Sequence, residues 1–178
     1  MNIQRTTLVI ALAAATSLTA SACSQGSGED QASGPTKTAH LSHSFDVTDQ
    51  RAVAGWSDRI FVGTVEAKTG SKSRVKDLPA GQWKVRVKET IKGPQLQVQT
   101  VSQTGGKDAD GTVILMDGDP ILVKGKTYIF AGRYDPRTDT VVVVSKYGDV
   151  PVSDVADTKV NAMKASAKNP KAVHKPAI

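Results

Sequence analysis

The chain has 178 residues, with 23 Lys and Arg against 17 Asp and Glu and a net charge of +6. That length suits one domain with one core, and the positive charges are spread along the chain, which argues against a nucleic-acid-binding protein. Aromatic residues make up only 4% of the chain, too few for base-stacking platforms, and a single cysteine excludes an internal disulfide, so the fold must rest on hydrophobic burial.

The first 22 residues read as a secretory signal. Arg5 is the positive n-region, Leu8 to Leu18 is apolar apart from Thr16 and Ser17, and Ala20-Ser21-Ala22 leads into Cys23. The apolar core is short for a membrane span of ~20 residues. A cysteine directly after such a signal resembles the bacterial lipoprotein signal, with Ala20 in the place usually held by an aliphatic residue. The resemblance implies that the Cys23 thiol is diacylglycerylated and becomes the first mature residue. The protein would then be anchored to a cell membrane on its extracytoplasmic face. An ordinary signal cut after Ala20 or Ala22 would instead leave Cys23 as a free thiol. Removing residues 1–22 takes away Arg5 alone, so the mature chain carries +5.

Residues 23–44 are rich in Ser, Gly, Gln, Ala and Thr and read as a flexible tether. Roughly 21 residues of such chain reach about 25 Å, enough to lift the domain clear of the headgroups.

A folded domain is expected over residues 45–168. Thr48 or Asp49 can cap a short helix with Val53 and Trp56 on one side. Arg59 to Ala67 reads as a central strand with two apolar faces, Ile60 and Val62 on one and Phe61 and Val65 on the other. Gly63 within it predicts a bulge or a close backbone approach. Lys68 to Gly81 is a polar loop. Gln82 to Lys92 alternates, with Trp83, Val85, Val87 and Ile91 on one face and Lys84, Arg86, Lys88 and Lys92 on the other. Glu89 breaks the apolar face, as a bulge or frayed end would allow.

Gly93-Pro94 turns this strand into a hairpin with Leu96 to Thr104. Gly105 to Gly111 is a loop, and Thr112 to Met116 is a short strand closed by Asp117-Gly118-Asp119-Pro120. Lys124-Gly125-Lys126 precedes a strand from Thr127 to Tyr134, and Asp135 to Asp139 links it to a strand from Thr140 to Tyr147. After Pro151, Ala156, Val160, Met163 and Ala167 recur at helical spacing, with Ser153 or Asp154 as cap and Asn169-Pro170 as stop. Residues 169–178 read as a loose basic tail. The fold class is all-β, a five- to six-stranded OB-like barrel with a short N-terminal helix and a C-terminal helix.

Three landmarks carry a resemblance. They are Trp56-Ser57-Asp58 running into Ile60-Phe61-Val62-Gly63-x-Val65, the valine strand ending in Lys92-Gly93, and Pro120-x-Leu122-x-x-Gly125-x-x-Tyr128-x-Phe130. Their order resembles the netrin-like domain, the OB-type barrel of tissue inhibitors of metalloproteinases, in a cysteine-free form. The resemblance implies the barrel. Inhibitors of that family work through an amino-terminal cysteine that chelates a target's zinc; here that residue would be Cys23, acylated and remote, and the family's other cysteines are absent.

Histidines are confined to His40 and His43 in the tether and His174 in the tail, so the barrel holds neither His nor Cys. That excludes Ser/His and Cys/His nucleophilic sites and imidazole metal sites from it. His40 and His43 with Asp46 could chelate a metal, although two histidines in a polar linker are far more often simply solvated. Asp108, Asp110, Asp117 and Asp119 lie in two loops without the spacing of a calcium loop, and turn chemistry accounts for them. No metal and no cofactor is expected. The one concentrated surface feature is the ladder Lys84, Arg86, Lys88, Lys92, a candidate face for an anionic ligand or a solubility device. The function read from these observations is a non-catalytic, lipid-anchored binding module of the cell envelope. Its partners would be the membrane through Cys23, and an envelope protein or anionic wall polymer. The alternative is an envelope-facing inhibitor of a protease or hydrolase.

Overall fold

The period-two pattern of residues 59–65 puts apolar side chains on both sides of one strand, and the architecture follows from satisfying both. A computed structural model describes residues 34–75 and 77–176; the signal and Cys23 lie outside the described residues. The elements are β1 (Thr36–Ala39), α1 (Gln50–Trp56), β2 (Arg59–Gly70), β3 (Ala80–Lys92), β4 (Val98–Thr104), β5 (Gly106–Lys107), β6 (Val113–Met116), β7 (Thr127–Asp135), β8 (Thr140–Val143), β9 (Asp149–Val152) and α2 (Thr158–Lys168).

Strands β2, β3, β4, β8 and β7 follow one another in the sheet, and β7 pairs back onto β2, closing a five-stranded barrel. All its pairings are antiparallel except β4 with β8, which is parallel through Val101 and Ser102 opposite Val141 and Val142. This is the OB-like barrel expected. β9 continues the sheet along the first half of β7. A second sheet has the order β1-β6-β5, with β1 parallel to β6.

Every barrel strand contributes to one cluster, made of Phe61, Val65, Trp83, Val85, Val101, Tyr128, Phe130, Val141 and Val143 with Leu122 from the loop before β7. This is the barrel interior. The opposite faces of β2 and β7 supply Ile60, Val62, Ile129 and Ala131 to a second cluster, covered by Val53 and Ala54 of α1 and Val160 and Met163 of α2. The helices are therefore lids on the outside of the barrel. Asp49 caps α1 by accepting the Arg51 N–H. The cap of α2 is Asp157, not Ser153 or Asp154, so Ala156 falls before the helix, while Asn169 ends it as expected.

The predicted irregularity at Gly63 is present twice over. The β2–β3 register shifts between Val62 and Gly63, and a Cβ at Gly63 would lie 2.5 Å from Val85 Cγ1 and 2.9 Å from Arg86 O. Lys88 is the unmatched residue opposite that shift, so β3 changes faces there. Trp83, Val85 and Val87 side with the barrel interior, and Ile91 with the outer cluster. Glu89 follows the change and pairs with Lys164 of α2 at 2.7 Å, which explains its place in an apolar pattern.

Two boundaries differ from expectation. Thr36–Ala39 is not tether: it pairs with β6, whose other neighbour is only the two-residue β5, and this backbone pairing needs no apolar side chains. Past it, Phe45 and Val47 pack on the outer cluster and Phe45 stacks on Trp56 with centroids 5.5 Å apart. Nor is the basic tail loose over its described part. The Lys171 N–H donates to Arg51 O, the Lys171 ammonium pairs with Asp49 at 3.3 Å, and Arg133 donates to Pro176 O.

Trp83 is fully buried, whereas Lys84 beside it is exposed. Trp83→Ala should therefore cost ~3–5 kcal/mol in urea unfolding, and Lys84→Ala less than ~1 kcal/mol. Equal losses at the two sites would reverse the assigned faces.

Candidate functional site

The lysine ladder is not the continuous stripe its spacing suggested. Glu66, on the neighbouring β2, takes both Lys84, at 3.3 Å, and Arg86, whose Nε donates to it at 2.6 Å. Lys88 donates to the Thr127 hydroxyl. Lys92 has left the face entirely. After the bulge its ammonium reaches the end of α1 and donates to Ala54 O at 2.8 Å and Ser57 O at 2.6 Å. There it satisfies terminal helix carbonyls. Burial lowers its pKa from the ordinary lysine value, and Lys175 nearby adds to that. Two of the four cations thus share one carboxylate and a third is a helix cap, so the ladder is not one continuous stripe of unpaired charge.

The histidines behave oppositely. Rather than hanging in a tether, His40 and His43 follow β1 across the molecule and converge on Asp117 in the β6–β7 connection. The His40 Nδ1 hydrogen-bonds Asp117 Oδ1 at 3.1 Å, and His43 Nε2 faces Oδ2 at 3.6 Å. The latter two atoms are shielded from solvent and have no hydrogen-bond partner. Asp117 sits at φ 53 in a turn with Gly118 at φ 74, which aims its carboxylate back under the strap formed by residues 36–47. Burial works against that carboxylate, but bonds from His40 and the Leu41 N–H, with His43 alongside, outweigh it and hold its pKa below the ordinary value. Asp46 turns away to bond the Thr48 hydroxyl and N–H. Its side chain therefore does not join the two imidazoles, and among the described residues no three His, Cys, Asp or Glu are arranged to hold a metal ion.

Val47, Lys146 and Tyr147 complete the walls of a recess of about 240 Å³ around His40, His43 and Asp117. Sequence reading missed it because Lys146 adopts φ 68 in the turn after β8, where a strand was expected to continue to Tyr147.

Directly beneath lies a pair of buried carboxyls from the same two connections. Asp119 accepts the Lys146 N–H at 2.8 Å, and Asp149 opens β9. Gln103, itself buried, donates to Asp149 Oδ2 at 2.8 Å, to Asp119 Oδ2 at 3.3 Å and to Pro120 O at 2.9 Å, and accepts the Leu122 N–H. Burial raises the pKa of Asp149 well above the ordinary carboxylate value, with the Asp119 charge adding to it, and burial raises that of Asp119 as well. The two carboxyls titrate as a pair, and burial favours keeping a proton between them. Both are shut off from solvent, so they tie three connections together rather than meet a substrate. The other loop acids cap their own turns: Asp108 accepts the Ala109 N–H and Asp110 the Thr112 N–H.

Among comparisons with known proteins, the chain matches no family model and no curated protein.

The carboxyl pair predicts a specific pH dependence. A carboxyl whose pKa is raised on folding stabilises fully below the unfolded value of ~3.9, and that contribution is lost as pH rises through the folded value. Asp149→Asn removes the titration while keeping the shape. Thermal melts from pH 5 to 8 should therefore show the variant gaining on wild type as pH rises. Parallel profiles would mean that Asp149 ionises normally. Below pH 4 the surface carboxylates lowered on folding, Asp110 and Asp157 among them, should destabilise both proteins alike.

Proposed function

We propose that the chain is a non-catalytic interaction module held at the extracytoplasmic face of a cell membrane by a lipid on Cys23. The targeting half of this reading rests on the order of Arg5, the apolar run and Ala20-Ser21-Ala22-Cys23. No helix among the described residues is long and apolar enough to cross a membrane, so attachment would fall to the acyl chains.

The binding half rests on the recess under the strap. There an imidazole nitrogen of His43 and a carboxylate oxygen of Asp117 face each other just beyond bonding distance, unpartnered, beside Lys146 and Tyr147. The facing His43 and Asp117 atoms are shielded from solvent, so a partner would meet the exposed rim of the recess, the His40 ring and the Lys146 ammonium. The reading as a binder rather than an enzyme is supported by the acids next to the recess. Asp119 and Asp149 are sealed and both bonded by Gln103, so they offer no accessible acid and base. The OB-like barrel is compatible with the netrin-like resemblance, which we retain as a proposal about ancestry and not about inhibition.

Two measurements test this. Cys23→Ser should move the protein out of salt-washed membranes, because a polar segment gives no anchoring once the acyl chains are gone; normal processing with undiminished membrane retention would end the lipoprotein reading. A photoreactive group at Tyr147 should capture a discrete envelope component in intact cells, and His43→Ala should abolish the adduct. Capture no different from that at Thr138, which is outside the lining of the recess, would remove the recess as the binding site.

A further inference from the structure

We infer that the barrel end formed by the 71–79 loop and the β5–β6 turn rests on the lipid surface, with Val75 as its apolar tip. The inference builds on the anchor reading and adds an orientation to it.

The argument starts from where the chain joins the domain. Gly34 lies so close to the β5–β6 turn that a Cβ there would collide with Gly111 O, and the ladder of β1 with β6 begins two residues later. The strap beyond it is held by that ladder, by His40 and His43 on Asp117, and by Phe45 on Trp56. The entry point is therefore fixed on the molecule. Ten residues separate Cys23 from Gly34. Whatever their conformation, they span at most about 38 Å. Compact chains of this size are themselves ~35–40 Å across. The end that carries Gly34 is thus tied within about 38 Å of a lipid on Cys23, close enough to rest on the membrane.

That end has the chemistry of a peripheral contact. The 71–79 loop lies against the β5–β6 turn, with the Gly105 N–H bonded to Pro79 O at 2.8 Å and a shallow groove lined by Val75, Leu78, Pro79, Lys107 and Ala109 between them. Val75 is 48% exposed, more than any other large hydrophobic residue described. It is presented by a built turn: its N–H donates to Ser73 Oγ, the Ser73 hydroxyl donates to its carbonyl, and the Leu78 N–H closes on the same carbonyl. Arg74 pins this loop to the barrel through the buried Asp135 at 3.1 Å. At this end Lys37, Lys72 and Lys107 are exposed and make no ion pair with a described residue. Asp77, Asp108 and Asp110 are exposed here as well and balance those three charges. An apolar residue on a pinned turn, placed beside the anchored terminus, fits contact with a bilayer surface.

The test uses the full lipidated chain in vesicles of phosphatidylcholine and phosphatidylglycerol. Because the Cys23 thiol would be consumed by the lipid, an introduced cysteine is the only reactive thiol. Val75→Cys, Ala109→Cys and Leu96→Cys would each carry an environment-sensitive fluorophore, quenched by nitroxides at the headgroup depth; Leu96 is in the β3–β4 turn, at the opposite end of β3 from the 71–79 loop. Quenching at positions 75 and 109 several-fold above that at 96 is expected. Uniform quenching, or the strongest at 96, in a chain whose amino-terminal peptide carries the lipid by mass and which floats with vesicles, overturns the orientation and leaves the anchor standing. An amino-terminal peptide without lipid overturns both.

Discussion

The antiparallel pairing of β2 with β7 is the constraint on which the rest of the structure depends. Six residue pairs, from Arg59 opposite Gly132 to Thr64 opposite Thr127, close the sheet into a barrel. Closure removes the two open edges of a five-stranded sheet and turns one of its faces into an enclosed core around Trp83 and Phe130. It also leaves the outer faces of the two joined strands apolar, at Ile60, Val62, Ile129 and Ala131. Both helices are needed to cover them. The terminal segments thus belong to the fold, because a barrel so patterned would otherwise expose a hydrophobic patch.

Polar chemistry inside this frame serves the connections. Barrel closure through a parallel β4–β8 contact requires a long excursion between those strands, and the chain supplies it with β5, β6, β7 and their loops. Gln103 at the end of β4 gathers that excursion, bonding Asp119, Pro120 and Leu122 on one side and Asp149 on the other. Two carboxyls meet there because each opens or closes a connection, and burial then favours keeping a proton between them. Above them, Asp117 plays the corresponding part for the strap. The same short run, Met116 to Pro120, therefore ties the N-terminal segment to the surface and the β8–β9 turn to the core.

The fate of the basic ladder shows how far local reading carries. Alternation correctly placed Lys84 and Arg86 on the outer face of β3, but whether a lysine row is a free positive stripe depends on the neighbouring strand. Glu66 lies opposite because of the β2–β3 register, and that register contains shifts no spacing rule supplies. The unmatched residues Lys88 and Ile91 move Glu89 and Lys92 to a different environment, where one meets Lys164 and the other caps α1.

The amino-acid sequence by itself determined the order of the five barrel strands, β6 and the two helices, the double-faced burial of β2, the interior face of β3 as far as Val87, the cap at Asp49 and the stop at Asn169, and a barrel free of histidine and cysteine. These are properties of period-two and period-3.6 patterns and of end-capping residues, which act over a few positions. Only the tertiary structure decided that Thr36–Ala39 is a strand, that His40 and His43 meet Asp117, that Asp119 meets Asp149, and that the lysine ladder is broken. Each of those joins residues far apart along the chain, and strand addition in particular is made by backbone N–H and C=O groups that every residue shares. Such contacts leave no mark on hydropathy; they exist because a closed barrel brings particular loops and edges within bonding distance.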